Sequence, residues 1–179
     1  MYDVVIVGEN DHGQHAGHQH VFQGIEKWLN VLDNPDRDKS QRPHDVIATL
    51  ALQPNDVVAD IGAGTGYFAM RIAEAYPQVK VVAADAEQEM IDHLLCQSKE
   101  RNFANLEPVK LDPAKSELPV QAHLALMVNT FHHLDDRSAY LKRLNTSMAS
   151  GARIAIIDFT YRSSRRAARR SPHSGGKSC

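Results

Sequence analysis

From residue 55 onward the chain alternates short unbroken apolar runs with stretches whose apolar positions recur at helical spacing. The runs at 57–61, 79–84, 106–111, 124–128 and 153–159 predict strands. Between them, 67–76, 87–102 and 137–148 predict helices, the first stopped by Pro77. Strands apolar at every position are buried on both faces. The pattern therefore predicts an α/β fold, a doubly wound parallel sheet with right-handed crossovers and strand order 3-2-1-4-5. Upstream, Phe22, Ile25, Leu29 and Leu32 share one helical face until Asn34-Pro35 breaks it. A second helix starts near Pro43, turns Val46, Ile47 and Leu50 inward, and stops before Pro54. These two helices either cap an active site or only cover the core. The run Val4-Val5-Ile6-Val7 looks like the first strand of a dinucleotide fold, but the glycines after it fit no phosphate-binding pattern.

The whole chain is 179 residues, 42% hydrophobic and 23% charged, which suits one globular domain and excludes wholesale disorder. No window approaches the roughly 18 consecutive apolar residues of a membrane span. The N-terminus lacks the basic flank and cleavage site of a secretory signal. Two distant cysteines, Cys96 and Cys179, form no disulfide framework, so a reducing cytoplasm is the expected setting. The charge is uneven. Up to Asp158 there are 22 acidic and 14 basic residues; after it there are six basic residues and no acidic one. An acidic body argues against a nucleic-acid surface. The expected organisation is a flexible leader at 1–21, a domain at 22–159 and a basic, disordered tail at 160–179. His12, His15, His18 and His20 cluster in the leader. They have neither cysteines nor a rigid element to fix ligand geometry, so no metal site is assigned.

The densest chemistry is Asp60-Ile61-Gly62-Ala63-Gly64-Thr65-Gly66, at the end of one predicted strand and the start of the next helix. Glycines at alternate positions let backbone turn sharply and approach a ligand closely. The helix start that follows offers free amides. A dinucleotide loop would need its third glycine at position 67, which is Tyr, and a phosphate loop would need a lysine, which is absent. Asp60 would repel a diphosphate but suit a cationic ligand. Asp85, ending the next strand, is placed to accept both hydroxyls of a ribose. An adenosine with a cationic amino-acid tail, S-adenosyl-L-methionine, satisfies both acids. Read alone, Asp60 is a strand-end cap and Asp85 a cap of the helix near Glu87.

On these residues the stretch from about Asp45 to Asp158 resembles the Rossmann-like class I S-adenosylmethionine-dependent methyltransferases. The run from Val57 to Tyr67 is similar to the family's first motif. Asp85-Ala86-Glu87-Gln88-Glu89-Met90 resembles its second-strand acid and following helix. The resemblance implies that Asp112, here followed by Pro113 rather than the usual Ala, lies near the adenine. It also implies that Asn129, opening Asn129-Thr130-Phe131-His132-His133, belongs to a fourth motif, and that Ser150-Gly151 is the turn before the last strand. Closest in texture is the small-molecule branch, such as the ubiquinone/menaquinone type, so a small-molecule acceptor is expected. Too few cysteines are present for the arsenite type.

The cofactor's sulfonium already makes its methyl electrophilic, so the protein's task is mainly alignment. His132 and His133 are the candidate bases for an acceptor that must lose a proton, unless one only caps the next helix. Tyr67 is a candidate wall near the methionine end, or plain core. Family members continue past the fifth strand with a helix and an antiparallel hairpin; here an Arg/Ser-rich stretch follows, so the fold is expected to be C-terminally incomplete. The fifth strand would then be an exposed edge that invites a homo-oligomer. Against methyl transfer to a small molecule stand a cofactor-binding module without catalysis, a methyltransferase acting on nucleic acid or protein, and a metal-binding protein using the leader histidines.

Overall fold

The computed structural model describes residues 4–6 and 37–158. The predicted helix at 22–33, the histidine cluster and the tail at 160–179 lie outside the described residues. Among the described residues six strands form one sheet: β1 (Val4–Ile6), β2 (Val57–Ile61), β3 (Lys80–Asp85), β4 (Leu106–Lys110), β5 (Ala122–Val128) and β6 (Met148–Ile157). The helices are α1 (Arg37–Gln41), α2 (Pro43–Thr49), α3 (Tyr67–Ala75), α4 (Gln88–Glu100) and α5 (Arg137–Leu144). The sheet order is β1-β6-β5-β2-β3-β4 and every pairing is parallel. The five expected strands keep their expected order, with β2 between β3 and β5.

Successive residues of the central strands enter two different cores. Val58, Val81, Leu124 and Leu126 pack on one face with Phe68, Ile72 and Leu94 of α3 and α4. Ala59, Val82, Ala125 and Met127 pack on the other with Tyr140 and Leu144 of α5. Both faces are dry, which is why these strands read as continuous apolar runs. Val46, Ile47 and Leu50 of α2 are buried in the first core, as their spacing predicted. At the amino ends of the strands, the Asn105 side-chain amide donates to the carbonyls of Ala73, Tyr76 and Val79, at 3.0, 3.2 and 3.0 Å. It gathers the carboxyl end of α3 onto the starts of β3 and β4, satisfying carbonyls that a helix terminus leaves open.

Three expectations need correction. The edge of β6 is not bare: Val4, Val5 and Ile6 pair with Ile154, Ala155 and Ile156. The outermost strand is therefore the three-residue β1, and short edge strands offer little for another chain to extend. The edge of β6 is thus not free to pair with a second copy. Secondly, Ser150-Gly151 is not a turn before the last strand but lies inside β6, which starts at Met148. Between the pairs Ala122↔Met148 and Leu124↔Arg153 the register shifts, five steps on β6 against two on β5. Gly151, at φ +74 with nothing near its Cβ direction, sits in that bulge. Finally, α5 stops at Leu144, where a 3₁₀ turn over Asn145–Ser147 leads directly into β6.

The Asn105 clamp gives a stability test. Asn105→Ala leaves the three carbonyls to find other partners and should cost roughly 1–3 kcal/mol. Urea unfolding should show a lower midpoint at unchanged slope; an unchanged midpoint would mean the clamp is idle.

Candidate functional site

All strands run the same way, so the carboxyl ends of β2, β3, β5 and β6 open on one crevice, where ligands of such sheets bind. The glycine loop crosses it. Gly62 and Ala63 donate their amides to the Ala84 carbonyl at 2.8 and 3.1 Å, which pins the loop to the end of β3. Gly62, Gly64 and Gly66 have φ of 74, 56 and 88°, so the alternate glycines of the sequence are the alternate left-handed residues of the loop. Gly66 ends the loop as the residue before α3.

Asp85 ties this loop to the next helix. Its buried carboxylate accepts the Gly64 amide at 2.8 Å on one oxygen and the Glu87 amide at 2.9 Å on the other. Ala86, half-buried, is the hinge between them. The helix-cap reading of Asp85 is thus partly real, but a second bond reaches across to the glycine loop. Asp60, one strand over and 3% exposed, is the other acid of the crevice. Burial pushes its carboxyl up to about 7, opposed by the Ala69 backbone amide and reinforced by the charge of Asp85. A carboxylate so buried gains from any cation brought against it.

The other predicted residues scatter around this pair. Asp112 and Pro113 are exposed just past β4, where Asp112 Oδ1 caps its own turn by accepting the Ala114 amide at 2.9 Å. Asn129, past β5, has φ 53° and donates its amide to the Ile157 carbonyl at 2.8 Å. Tyr67 is drawn away from a simple wall role. Its ring lies between the guanidinium groups of Arg37 and Arg71, each 4.0 Å from the centroid, and its hydroxyl donates to Asp38. Arg71 also donates to Asp38 at 3.0 Å, so Tyr67 fastens α1 to α3. Burial and the Asp38 bond push its phenol upward, and the same bond holds the Asp38 carboxyl below its usual range.

His132 and His133 form a 3₁₀ turn with Phe131 beyond β5, their rings 3.9 Å apart. Burial and the neighbouring His132 lower the His133 pKa, with Asp158 opposing. His132 faces Asp158 at the end of β6. Sequence reasoning missed Asp158 as a site residue, although it is an acid at a strand end like Asp60 and Asp85. It also missed Thr130, whose side chain covers Gly62 so closely that a Cβ there would collide with Oγ1. No spacing rule could have revealed that contact. Among the described residues no group of three or more His, Cys, Asp or Glu is placed to hold a metal. No helix among them is long and apolar enough to cross a membrane.

The family model described as a methyltransferase domain matches residues 59–154, from β2 through the bulged strand. The chain belongs to the methyltransferase domain family. A solved S-adenosylmethionine-dependent methyltransferase of Aquifex aeolicus superposes on this methyltransferase domain with a TM-score of 0.68 at 25% identity, covering 76% of this chain and 73% of that one. A Geobacter sulfurreducens methyltransferase solved in complex with S-adenosyl-L-homocysteine shares the fold at 19% identity and TM-score 0.55, over 65% of this chain and 47% of that one. A malonyl-[acyl-carrier protein] O-methyltransferase of Acetivibrio thermocellus is 27% identical over 105 residues, 58% of this chain and 36% of that protein. The chain spans between 29% and 50% of the length of the curated relatives it matches.

Two tests follow from this geometry. Gly62→Ala combines a left-handed φ with a collision against Thr130 and should cost on the order of 1–3 kcal/mol. Thr130→Gly in the same background should recover part of that loss, a coupling readable in a double-mutant cycle. Asp60 gives the second. Its folded pKa of about 7 exceeds its unfolded value of 3.8, so the folded state holds a proton that the unfolded state releases. Its burial therefore lowers stability progressively as pH rises from about 4 to about 7. Asp60→Asn removes this penalty and should raise the melting temperature at pH 8 but not at pH 4. A melting temperature unchanged at both would contradict the buried carboxylate.

Proposed function

We propose that the domain binds S-adenosyl-L-methionine and transfers its methyl group to a small-molecule acceptor. The observation that carries the reading is the Asp85 carboxylate. Each of its oxygens accepts one backbone amide, and a carboxylate oxygen has room for two donors. That leaves capacity for the two hydroxyls of a ribose at the mouth of the glycine loop. Asp60 would complement the cationic end of the same ligand, and its burial would sharpen the preference for a cation. Gly62, Ala63, Gly64 and Gly66 would pass beside the ligand's amino-acid tail, while Ala86, Asp112, Pro113 and Asn129 would border the adenosine, with Tyr67 behind the loop. The cofactor supplies an electrophilic methyl, and the chain orients it and excludes water. His132 and His133 stand at the same end of the sheet as bases for an acceptor that must lose a proton. The Acetivibrio relative, named a malonyl-[acyl-carrier protein] O-methyltransferase, and a Papaver bracteatum relative, named a probable (S)-tetrahydroprotoberberine N-methyltransferase, support an acceptor outside nucleic acid. A reducing cytoplasm suits Cys96, a free and exposed thiol.

Titration calorimetry tests the ribose contact. Asp85→Ala should weaken S-adenosyl-L-homocysteine binding on the order of 10- to 1000-fold, each tenfold being about 1.4 kcal/mol. An analogue lacking both ribose hydroxyls should bind the native domain poorly and lose far less on mutation. Equal losses for the two ligands would show that Asp85 acts only through the loop and helix it braces.

A further inference from the structure

His132 is gripped twice by one carboxylate. Asp158 Oδ2 accepts the His132 backbone amide at 2.9 Å, and Asp158 Oδ1 lies 2.6 Å from His132 Nδ1. Asp158 follows the last residue of β6 and is 18% exposed, whereas the imidazole is 40% exposed. A carboxylate can only accept, so the proton of a neutral imidazole must sit on Nδ1 and the ring's lone pair on Nε2. The His133 imidazole lies 3.9 Å from this ring, and the Arg137 guanidinium donates to the His132 carbonyl at 3.4 Å.

We propose that Asp158 is a positioning residue that holds His132 in the tautomer whose Nε2 takes the proton from the methyl acceptor. The inference rests on the function proposed above. In that reaction the acceptor's lone pair forms the new bond to the methyl, and the methyl–sulfur bond breaks with its electron pair staying on sulfur. The acceptor's proton moves to Nε2. Asp158 touches none of these atoms. It fixes which nitrogen is basic and anchors the 3₁₀ turn that carries it, as carboxylates do for catalytic imidazoles elsewhere.

The test is a substitution whose isosteric form should do more harm than truncation. In Asp158→Asn the His132 backbone amide, which can only donate, claims the single amide oxygen. The NH₂ group then faces Nδ1, forces it to be the acceptor, and moves the ring proton to Nε2. Asp158→Ala presents neither donor nor acceptor and should give a mixture of tautomers. Imidazole ¹⁵N shifts, read on the full chain with uniformly labelled histidine, report these states without any methyl acceptor. The native protein should show Nδ1–H at neutral imidazole, and Asp158→Asn should show Nε2–H. A native Nε2–H tautomer, or an Asn variant that keeps Nδ1–H, would overturn the proposal. If the Asn variant fails to fold, the native spectrum alone decides. Calorimetry with S-adenosyl-L-homocysteine runs in parallel. Absent binding by the native protein would overturn the methyl-transfer reading, and with it the role of the base, whatever the tautomer.

Discussion

The hydrogen bonds from the Gly64 and Glu87 amides to Asp85 are where the parts of this site meet. They join a loop after β2, a strand end of β3 and the start of α4, three segments that no continuous secondary structure links. A parallel sheet delivers its strands' carboxyl ends to one side but leaves the loops there without partners of their own. The charged acceptor supplies that partner. Because an ionised acceptor makes shorter and stronger bonds than a neutral one, the loop is held in place before any ligand arrives. Preorganisation of this kind lowers the ordering cost of binding.

Acids at strand ends recur around the crevice, and each is used differently. Asp85 is spent on backbone amides, Asp60 is buried with its charge poorly compensated, and Asp158 grips a histidine. Burial, with the charge of Asp85 added to it, makes Asp60 costly to ionise. A scaffold that tolerates Asp60 gives up stability at neutral pH, as functional sites commonly do.

The central strands were legible because burial on both faces forces every residue of Val81–Ala84 to be apolar, which leaves an unbroken run. The glycine loop was legible because left-handed backbone at Gly62, Gly64 and Gly66 restricts residue choice. What stayed hidden depended on distant pairing. Val4–Ile6 reads as an apolar run whether or not a strand edge waits for it, and the edge it meets is some 150 residues away. The start of β6 was obscured by Ser150-Gly151, which reads as a turn and is a bulge. Helix α1 has only five residues, too few for a periodic signal, and is held by Tyr67 and its arginines rather than by its own apolar face. Thr130 over Gly62 is a contact between two loops, and Asp158 becomes meaningful only once β6 lies beside β5.

The pairing of β1 with β6 also has a consequence in time. Val4 leaves the ribosome 150 residues before its partner Ile154 is made. At roughly 5–20 residues per second, that interval is on the order of ten seconds. Through it the nascent sheet must grow from β2 outward while the apolar strand β1 stays unpaired. Anything that captures extended apolar chain during synthesis would find it there, and the edge of β6 would close only once Ile156 has been made.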